Sequence, residues 1–309
     1  MKIAVLFSGQ GAQYPGMMRE LYDTEPAAAE VFSRADQALG RAVSALCFSG
    51  TQEQLNLTHN TQPCVLVADL AAAMALKAHG IVPEAVAGFS LGEYAALAFA
   101  GAFSLDEAFR MIQIRADAMQ EAVASGAGAM AALIGVSAEK VEELCEKTKK
   151  GYVVAANYNS PTQTVISGTV EGVDEAVSFA EAEGISCIKL AVSAPFHCAL
   201  MAPAAERLKR VFETVQFCDV HIPVYMNVDG APLRSKEIIP ELLVRQAISP
   251  VRWVETLNRL REDGFDTFIE CGPGKTLSGL VKKTLGGVSV YRVENRKTLE
   301  RTLQSMNAF

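Results

Sequence analysis

Short apolar runs alternate along the chain with longer segments in which apolar positions recur every three or four residues. The short runs have the length of buried strands, and the longer segments have the period of helices that bury one face. The runs predict strands near residues 2–7, 85–88, 221–228 and 267–270, and the longer segments predict helices near residues 26–39, 61–79, 104–123 and 251–261. This alternation is typical of a mostly parallel sheet covered by helices on both faces.

The pattern changes after a segment of small residues at 124–128. From there the predicted order is strand, helix, strand, strand, helix, strand, and the second helix shows the i, i+3, i+4, i+7 spacing over residues 173–180. This order is that of a ferredoxin-like unit. We therefore expect a large α/β-hydrolase-like domain of residues 1–124 and 193–309, with a small ferredoxin-like (βαββαβ) domain of residues 125–192 inserted in it.

The composition favours some classes of protein and argues against others. The chain has 309 residues, 50% of them hydrophobic and 20% charged, with a net charge of −7 and no Lys/Arg run longer than a pair. This indicates a soluble globular protein and argues against nucleic acid as a partner. The apolar run at residues 3–7 is too short for a signal peptide, and the one at residues 63–76 is too short for a membrane span. Seven scattered cysteines without a C-x-x-C pair favour reduced thiols, so we expect a cytoplasmic protein with no membrane partner.

The candidate nucleophile is Ser90, at the centre of Gly88-Phe89-Ser90-Leu91-Gly92. A G-x-S-x-G pentapeptide between a strand and a helix is typical of a nucleophile elbow, where the glycines let strand and helix approach closely. The N–H groups that begin the helix have no acceptor within it and could bind an oxyanion. The alternative is a chance turn that contains glycine and serine. The strand before the pentapeptide and the helix after it favour the elbow.

A serine nucleophile needs a base, and histidine is the usual one near neutral pH. Of the four histidines, His197 is the preferred candidate because it follows Pro195 where the chain re-enters the large domain. The presence of the other three, His59, His79 and His221, can be explained without a catalytic role. No acidic residue between Ser90 and His197 stands at the end of a strand of the large domain. A backbone carbonyl could orient the imidazole instead, which argues against an ordinary esterase.

Two glycine-containing loops are similar to nucleotide-binding motifs but each lacks a required glycine. Tyr14 stands where the dinucleotide fingerprint needs its third glycine, and Ile269 stands where a P-loop needs its first. The histidines and cysteines show no spacing typical of metal ligands. We therefore expect no metal and no cofactor. The loop Gly9-Gln10-Gly11 is still well placed to direct backbone N–H groups into a crevice at the end of the first strand.

A set of motifs extends over nearly the whole chain. They are Gly9-Gln10-Gly11, Gly88-Phe89-Ser90-Leu91-Gly92-Glu93, Arg115, Asn157 within Asn-Tyr-Asn-Ser-Pro, Pro195-Phe196-His197-Cys198-Ala199-Leu200-Met201, Val244-Arg245-Gln246, Pro250-Val251-Arg252-Trp253 and Glu270-Cys271-Gly272-Pro273-Gly274. Together they resemble the malonyl-CoA:acyl-carrier-protein transacylases of type II fatty-acid synthesis. The resemblance implies ping-pong transfer of a malonyl group from malonyl-CoA to the phosphopantetheine thiol of acyl carrier protein, with release of CoA. We expect a monomer.

The resemblance also implies a role for individual residues. Ser90 is expected to be the nucleophile and His197 its base, with the N–H groups of Gln10 and Leu91 as the oxyanion hole. The main-chain carbonyl of Gln246 is expected to orient His197. This last role would replace the acidic residue that the sequence lacks.

Substrate recognition is expected to involve Arg115, as the partner of the malonyl carboxylate, together with Asn157 and Phe196. Many members of the family have histidine where Phe89 stands, so a second imidazole beside the nucleophile is absent here. The ring of Phe196 resembles the variant associated with malonyl rather than methylmalonyl, because it would crowd an α-methyl group. Without the resemblance, the helix pattern favours an Arg115 side chain that extends to solvent over one that faces a polar cavity.

Two other functions remain open from the sequence. An esterase or thioesterase would share the elbow and the base but would have no use for a buried cation near the ester. A non-catalytic module that binds CoA or an acyl carrier protein could keep the fold alone. The joint presence of Ser90, His197 and Arg115 argues against that module.

Overall fold

The computed structural model describes residues 1–124, 126–192 and 194–306. In these ranges the strands are β1 Ile3–Phe7, β2 Ala85–Gly88, β3 Gly128–Ile134, β4 Val153–Ser160, β5 Gln163–Thr169, β6 Ser186–Lys189, β7 Val224–Met226, β8 Ala231–Pro232, β9 Thr267–Cys271 and β10 Ser289–Val293. The helices up to the small sheet are α1 Arg19–Thr24, α2 Pro26–Leu39, α3 Val43–Ser49, α4 Gln52–Asn56, α5 Thr58–Ala78, α6 Gly92–Phe99 and α7 Leu105–Glu121. The later helices are α8 Ala138–Lys147, α9 Val170–Ala182, α10 Ala202–Phe212, α11 Ile239–Ile248, α12 Trp253–Glu262, α13 Thr276–Thr284 and α14 Arg296–Met306.

The larger sheet has the strand order β10-β9-β1-β2-β7-β8, and all its pairs are parallel except β7 with β8. The mostly parallel sheet predicted from the sequence is therefore confirmed. Phe7 is in register with both Gly88 and Cys271, so β1, β2 and β9 end at one edge of the sheet. That edge carries the loop after β1, the turn before α6 and the turn before α13. Crevices at the carboxyl ends of parallel strands are where such sheets bind ligands.

Alternate residues of the central strands face opposite layers of helices. Val5 and Phe7 join the core that contains α5 and α7, whereas Ala4 and Leu6 pack in the core with Trp253. Because both faces are covered, the strands consist almost wholly of apolar residues. By length and composition, α5 is the one helix in the described ranges that could cross a membrane, and 83% of its apolar window is buried inside the fold.

The smaller sheet is antiparallel, with the strand order β4-β5-β3-β6. Along the chain its elements run β3, α8, β4, β5, α9, β6, and they enclose a separate core that includes Leu133, Val141 and Ile166. A bridge between Asn157 and Val251 joins β4 to the segment before α12. The expected domain limits fall at Ser125 and Ser193, which lie outside the described residues.

Some elements differ from the sequence prediction. The strand predicted over residues 221–228 is confined to β7, which begins directly after Pro223. Proline has no N–H to donate to a strand ladder, and Pro223 takes part in the pairing through its carbonyl oxygen, which accepts from the N–H of Val86 at 2.9 Å. The helix predicted over residues 104–123 is α7, which begins one residue after its capping residue Ser104. Neither β10 nor α14 was predicted, although β10 extends the parallel sheet by pairing with β9.

Candidate active site

Ser90 lies in a tight turn between β2 and α6, with a backbone φ of 55°. The turn depends on glycine at both ends. A Cβ at Gly88 would stand 1.9 Å from the carbonyl oxygen of Gly92, and a Cβ at Gly92 would stand 2.5 Å from that of Phe7. A non-glycine residue with left-handed backbone is costly and is found mostly where function requires it. This is the geometry of the elbow that the sequence predicts.

The structure brings Ser90 and His197 together, although 107 positions separate them. Ser90 Oγ lies 2.7 Å from His197 Nε2, and His197 Nδ1 lies 2.9 Å from the carbonyl oxygen of Gln246. A carbonyl can only accept, so Nδ1 carries the proton and donates it to Gln246. Nε2 then has a free lone pair that faces the Ser90 hydroxyl. His197 also has a left-handed backbone, with a φ of 61°.

Burial, together with the positive charge of Arg115, lowers the pKa of His197 to about 4. The neutral imidazole is the form that can take a proton from Ser90. At neutral pH this histidine is therefore held in the protonation state that a general base requires. No carboxylate is needed to fix its tautomer, because the Gln246 carbonyl does so.

Arg115 extends inward from α7 and is only 1% exposed. Its Nη1 donates to Gln62 Oε1 at 2.7 Å, while its Nη2 donates to Ser90 Oγ at 3.1 Å and to Gln246 Oε1 at 3.0 Å. None of the ion pairs in the described ranges includes this guanidinium. The guanidinium is therefore buried and does not reach solvent, and its hydrogen-bond partners are neutral. Burial raises the pKa of the nearby Glu93 to about 8 despite the positive charge of Arg115, so this carboxyl is mostly protonated at neutral pH. A buried charge without a counter-ion is costly and favours binding of an anion beside Ser90.

The two N–H groups expected to form the oxyanion hole are free. In the part of the chain that the structure describes, neither Gln10 nor Leu91 donates its backbone N–H to any acceptor. Gln10 follows β1 and Leu91 follows Ser90, so both lie at the same edge of the sheet. The ring of Phe89 packs against the loop after β1. It lies so close to Gly9 that a Cβ at this glycine would stand 2.8 Å from the ring.

Ser90, Arg115 and His197 line one cavity between the two sheets, and Gln10, Asn157 and Phe196 line it as well. Apolar side chains form most of the remaining wall; they include Met119, Met130, Val165, Leu190, Val192 and Leu280. A register irregularity in β4 between Ala155 and Asn157 alters the alternation of its side chains at the cavity. The cavity therefore presents the polar groups of Ser90, Arg115 and His197 beside mostly apolar walls.

Three amide side chains make contacts in the site that were not predicted. Gln62 binds Arg115, the side chain of Gln246 binds both Arg115 and the Ser90 carbonyl, and Asn227 binds the backbone N–H of Ser90. Gln246 was expected to act only through its main-chain carbonyl. Single amide residues such as Gln62 and Asn227 carry no spacing that would single them out in the sequence.

Comparison with known proteins assigns the chain to a family. The model of the acyl transferase domain matches residues 5–303. The chain belongs to the acyl transferase family. Among curated relatives, this acyl transferase is 45% identical over 308 residues to the malonyl CoA-acyl carrier protein transacylase of Bacillus subtilis, covering 99% of the chain and 97% of the relative. It is 37% identical over 306 residues to the protein of the same name from Escherichia coli K12, covering 98% and 99%.

Solved structures agree with the sequence relatives. The malonyl CoA-acyl carrier protein transacylase of Clostridium perfringens superposes on this acyl transferase with a TM-score of 0.96 at 41% identity, covering 100% of the chain and 98% of the other. A malonyl-transacylase solved in complex with a type II PKS acyl-carrier protein gives a TM-score of 0.96 at 39% identity, covering 99% and 100%.

Proposed function

We propose that this acyl transferase moves a malonyl group from malonyl-CoA to the phosphopantetheine thiol of an acyl carrier protein, through an ester on Ser90. One observation carries the proposal. The buried guanidinium of Arg115 forms no ion pair with a carboxylate in the described residues, and its Nη2 lies 3.1 Å from Ser90 Oγ. A neutral acyl group would leave that charge unpaired, whereas malonate brings a carboxylate to it. The names of the relatives point to the same substrates.

The first half of the reaction acylates the enzyme. The Ser90 hydroxyl gives its proton to His197 Nε2, which lies 2.7 Å away, as Oγ attacks the thioester carbonyl. The N–H groups of Gln10 and Leu91 bind the oxyanion of the tetrahedral intermediate. When the intermediate collapses, the carbon–sulfur bond breaks and CoA leaves with the proton from His197. Malonyl-Ser90 remains.

The second half transfers the group to the carrier. The phosphopantetheine thiol gives its proton to His197 and attacks the malonyl ester, and the same N–H groups bind the new oxyanion. Collapse then breaks the ester bond, and Ser90 Oγ recovers the proton. The reaction is ping-pong because CoA leaves before the carrier thiol enters. Asn157 and the apolar walls of the cavity border the path of the pantetheine arm.

Arg115 reads the distal carboxylate of the malonyl group. Its planar guanidinium can bind both carboxylate oxygens at once. Gln62 and Gln246 accept hydrogen bonds from it and hold its orientation without neutralising its charge. The site therefore selects an acyl group that carries a carboxylate, because the free-energy cost of burying the Arg115 charge is relieved when that carboxylate binds.

The proposal also covers the domain organisation, the oligomeric state and the cellular compartment of the enzyme. We regard residues 125–192 as a ferredoxin-like domain inserted in an α/β-hydrolase-like domain of residues 1–124 and 193–309, which the order and pairing of β3 to β6 support. The expected monomer remains part of the proposal. All seven cysteines are free, as expected in a reducing cytoplasm.

Intact-protein mass spectrometry tests the proposed function. Malonyl-CoA alone should add one malonyl group to the protein, and holo-acyl carrier protein should then remove the group and gain it. A thioesterase would release CoA and malonate without passing the group on, and would hydrolyse neutral acyl esters. A non-catalytic module would leave the masses of enzyme and carrier unchanged, which would refute the proposal.

Phe196 is expected to exclude branched acyl groups. Replacing it with alanine should raise the ratio of methylmalonyl to malonyl transfer by roughly tenfold, because one methyl group in a tight pocket typically changes discrimination by 10-fold or more. Competition between the two CoA thioesters, with the carrier product resolved by mass, measures this ratio. Phe196→Tyr keeps the ring and should leave the ratio low. An unchanged ratio in Phe196→Ala would remove Phe196 from substrate selection.

A further inference from the structure

Asn227 follows β7, is fully buried, and has both its main-chain and its side-chain polar groups hydrogen-bonded. Its backbone N–H donates to Glu93 Oε2, and its backbone carbonyl accepts from the N–H of Arg252 at 2.9 Å. Its side-chain Oδ1 accepts from the N–H of Ser90 at 2.7 Å, and its Nδ2 donates to the carbonyl of Gly88 at 2.6 Å. The side chain thus bridges two peptide groups of the elbow, one on each side of Phe89.

These two peptide groups decide where the nucleophile points. Ser90 has a left-handed backbone, which is unfavourable unless the surroundings hold it. The Ser90 N–H needs an acceptor and the Gly88 carbonyl needs a donor, and in this structure one side chain outside the turn supplies both. A primary amide offers one donor and one acceptor on the same planar group. Asn227 meets this requirement from the neighbouring strand.

The carbonyl side of Ser90 is held as well. Its oxygen accepts from Gln246 Nε2 at 2.8 Å. Because the peptide bond is planar and trans, fixing that oxygen directs the N–H of Leu91 to the opposite side. The peptide groups before and after Ser90 are therefore fixed by two separate amide side chains, Asn227 and Gln246.

We propose that Asn227 is a positioning residue for acyl transfer, whose amide holds the peptide groups on both sides of Phe89 so that Ser90 Oγ faces His197. This inference rests on the proposed role of Ser90 as nucleophile. Asn227 does not touch the reacting atoms and acts through the backbone of Ser90. A displacement of about 1 Å at a reacting group can lower a rate by about 100-fold. Loss of the amide should thus slow acylation without weakening the binding of malonyl-CoA.

The experiment compares Asn227→Ala and Asn227→Asp with the parent protein. Thr302→Val is the matched control, because Thr302 is also buried and donates one side-chain hydrogen bond to a backbone carbonyl, that of Arg292. Thr302 lies on α14, which packs against the edge strand β10, away from the elbow. For each variant we would measure the thermal midpoint, the single-turnover rate of malonyl-enzyme formation and its half-saturating malonyl-CoA concentration. The rate of phosphorylation by diisopropyl fluorophosphate reports the reactivity of Ser90 without malonyl-CoA.

Asn227→Ala should lower both rates by roughly 10- to 100-fold at an unchanged half-saturating concentration. Thr302→Val should lower the thermal midpoint and leave both rates at the parent level. In Asn227→Asp, a protonated carboxyl restores one donor and one acceptor, so its rate relative to the parent should rise from pH 8 to pH 5.5. Glu93 accepts from the N–H of Asn227, and burial raises its pKa to about 8, with Arg115 and Asp229 also acting on it. Because Glu93 titrates within this pH range in every variant, each rate is compared with that of the parent at the same pH.

Three outcomes would overturn or redirect the inference. Rates within twofold of the parent in folded Asn227→Ala would exclude a positioning role. If the rates in Asn227→Ala fall only in proportion to the fraction of folded protein, and the rate of Asn227→Asp does not recover at low pH, Asn227 has a structural role alone. If the parent itself forms no malonyl ester, the proposed function fails. The fluorophosphate rates would still test whether Asn227 sets the reactivity of Ser90.

Discussion

Replacing Ser90 with alanine is expected to abolish the mass increase of one malonyl group that malonyl-CoA should produce in the parent protein. The alanine side chain has no nucleophile to place 2.7 Å from His197 Nε2. The substitution also removes the hydrogen bond from Arg115 Nη2 while leaving the guanidinium bound to its two glutamine partners. Malonyl-CoA should therefore still bind, and its affinity measured by calorimetry should remain close to that of the parent.

The control for this experiment is an exposed thiol. Cys218 is solvent-exposed, and a thioester could acylate it without catalysis. Cys218→Ser should gain the malonyl group as fast as the parent does, and peptide mapping should locate the group on the segment that contains Ser90. An adduct that forms at the parent rate in Ser90→Ala would refute the assignment of the nucleophile.

Replacing Arg115 with alanine is expected to lower kcat/KM for malonyl-CoA by about two to four decades, which corresponds to roughly 3–5 kcal/mol for an unpaired buried carboxylate. Acetyl-CoA has no such carboxylate, so the same substitution should change its transfer little or increase it. The measurement is the ratio of malonyl to acetyl transfer in the variant and in the parent. That ratio should fall steeply.

Arg115→Lys separates charge from geometry. A lysine keeps the positive charge but cannot bind both carboxylate oxygens in the plane of a guanidinium, and it cannot keep the bonds to Gln62 and Gln246 together. The malonyl-to-acetyl ratio should fall substantially, although less than in Arg115→Ala. A parallel fall in the transfer of both acyl groups would mean that Arg115 supports the fold rather than recognising the substrate.

The elbow could be predicted because it rests on local sequence, whereas the choice of His197 as the base is a prediction that rests on the order of the elements. The two glycines around Ser90 are required by contacts with residues close in sequence or on the adjoining strand, and the apolar run before them predicts β2. The parallel sheet also followed from strand length and apolar content. Once these elements were placed, the topology restricted the position of a base to the point where the chain returns to the large sheet.

The amide contacts could not be predicted because they depend on distant segments meeting. The Ser90 elbow receives Asn227 from 137 positions away and Gln246 from 156 positions away. An amide residue has no periodicity, and its partners here are backbone groups that any sequence possesses. Arg115 posed a related problem, since its helix pattern fits both a solvent-exposed side chain and a buried one. The packing of other helices against α7, with Gln62 of α5 and Gln246 of α11 bonded to the guanidinium, decides between them.

The left-handed backbone at Ser90 and His197 matters for any attempt to raise the thermal stability of this protein. At both positions glycine would adopt the observed φ with less strain, so a redesign guided by thermal stability alone would favour glycine there. Each such choice would remove one of the two groups assigned to proton transfer. Stabilising changes are better sought at the solvent-facing positions of α8 and α14, because α8 packs in the separate core of the smaller sheet and α14 packs against the edge strand β10.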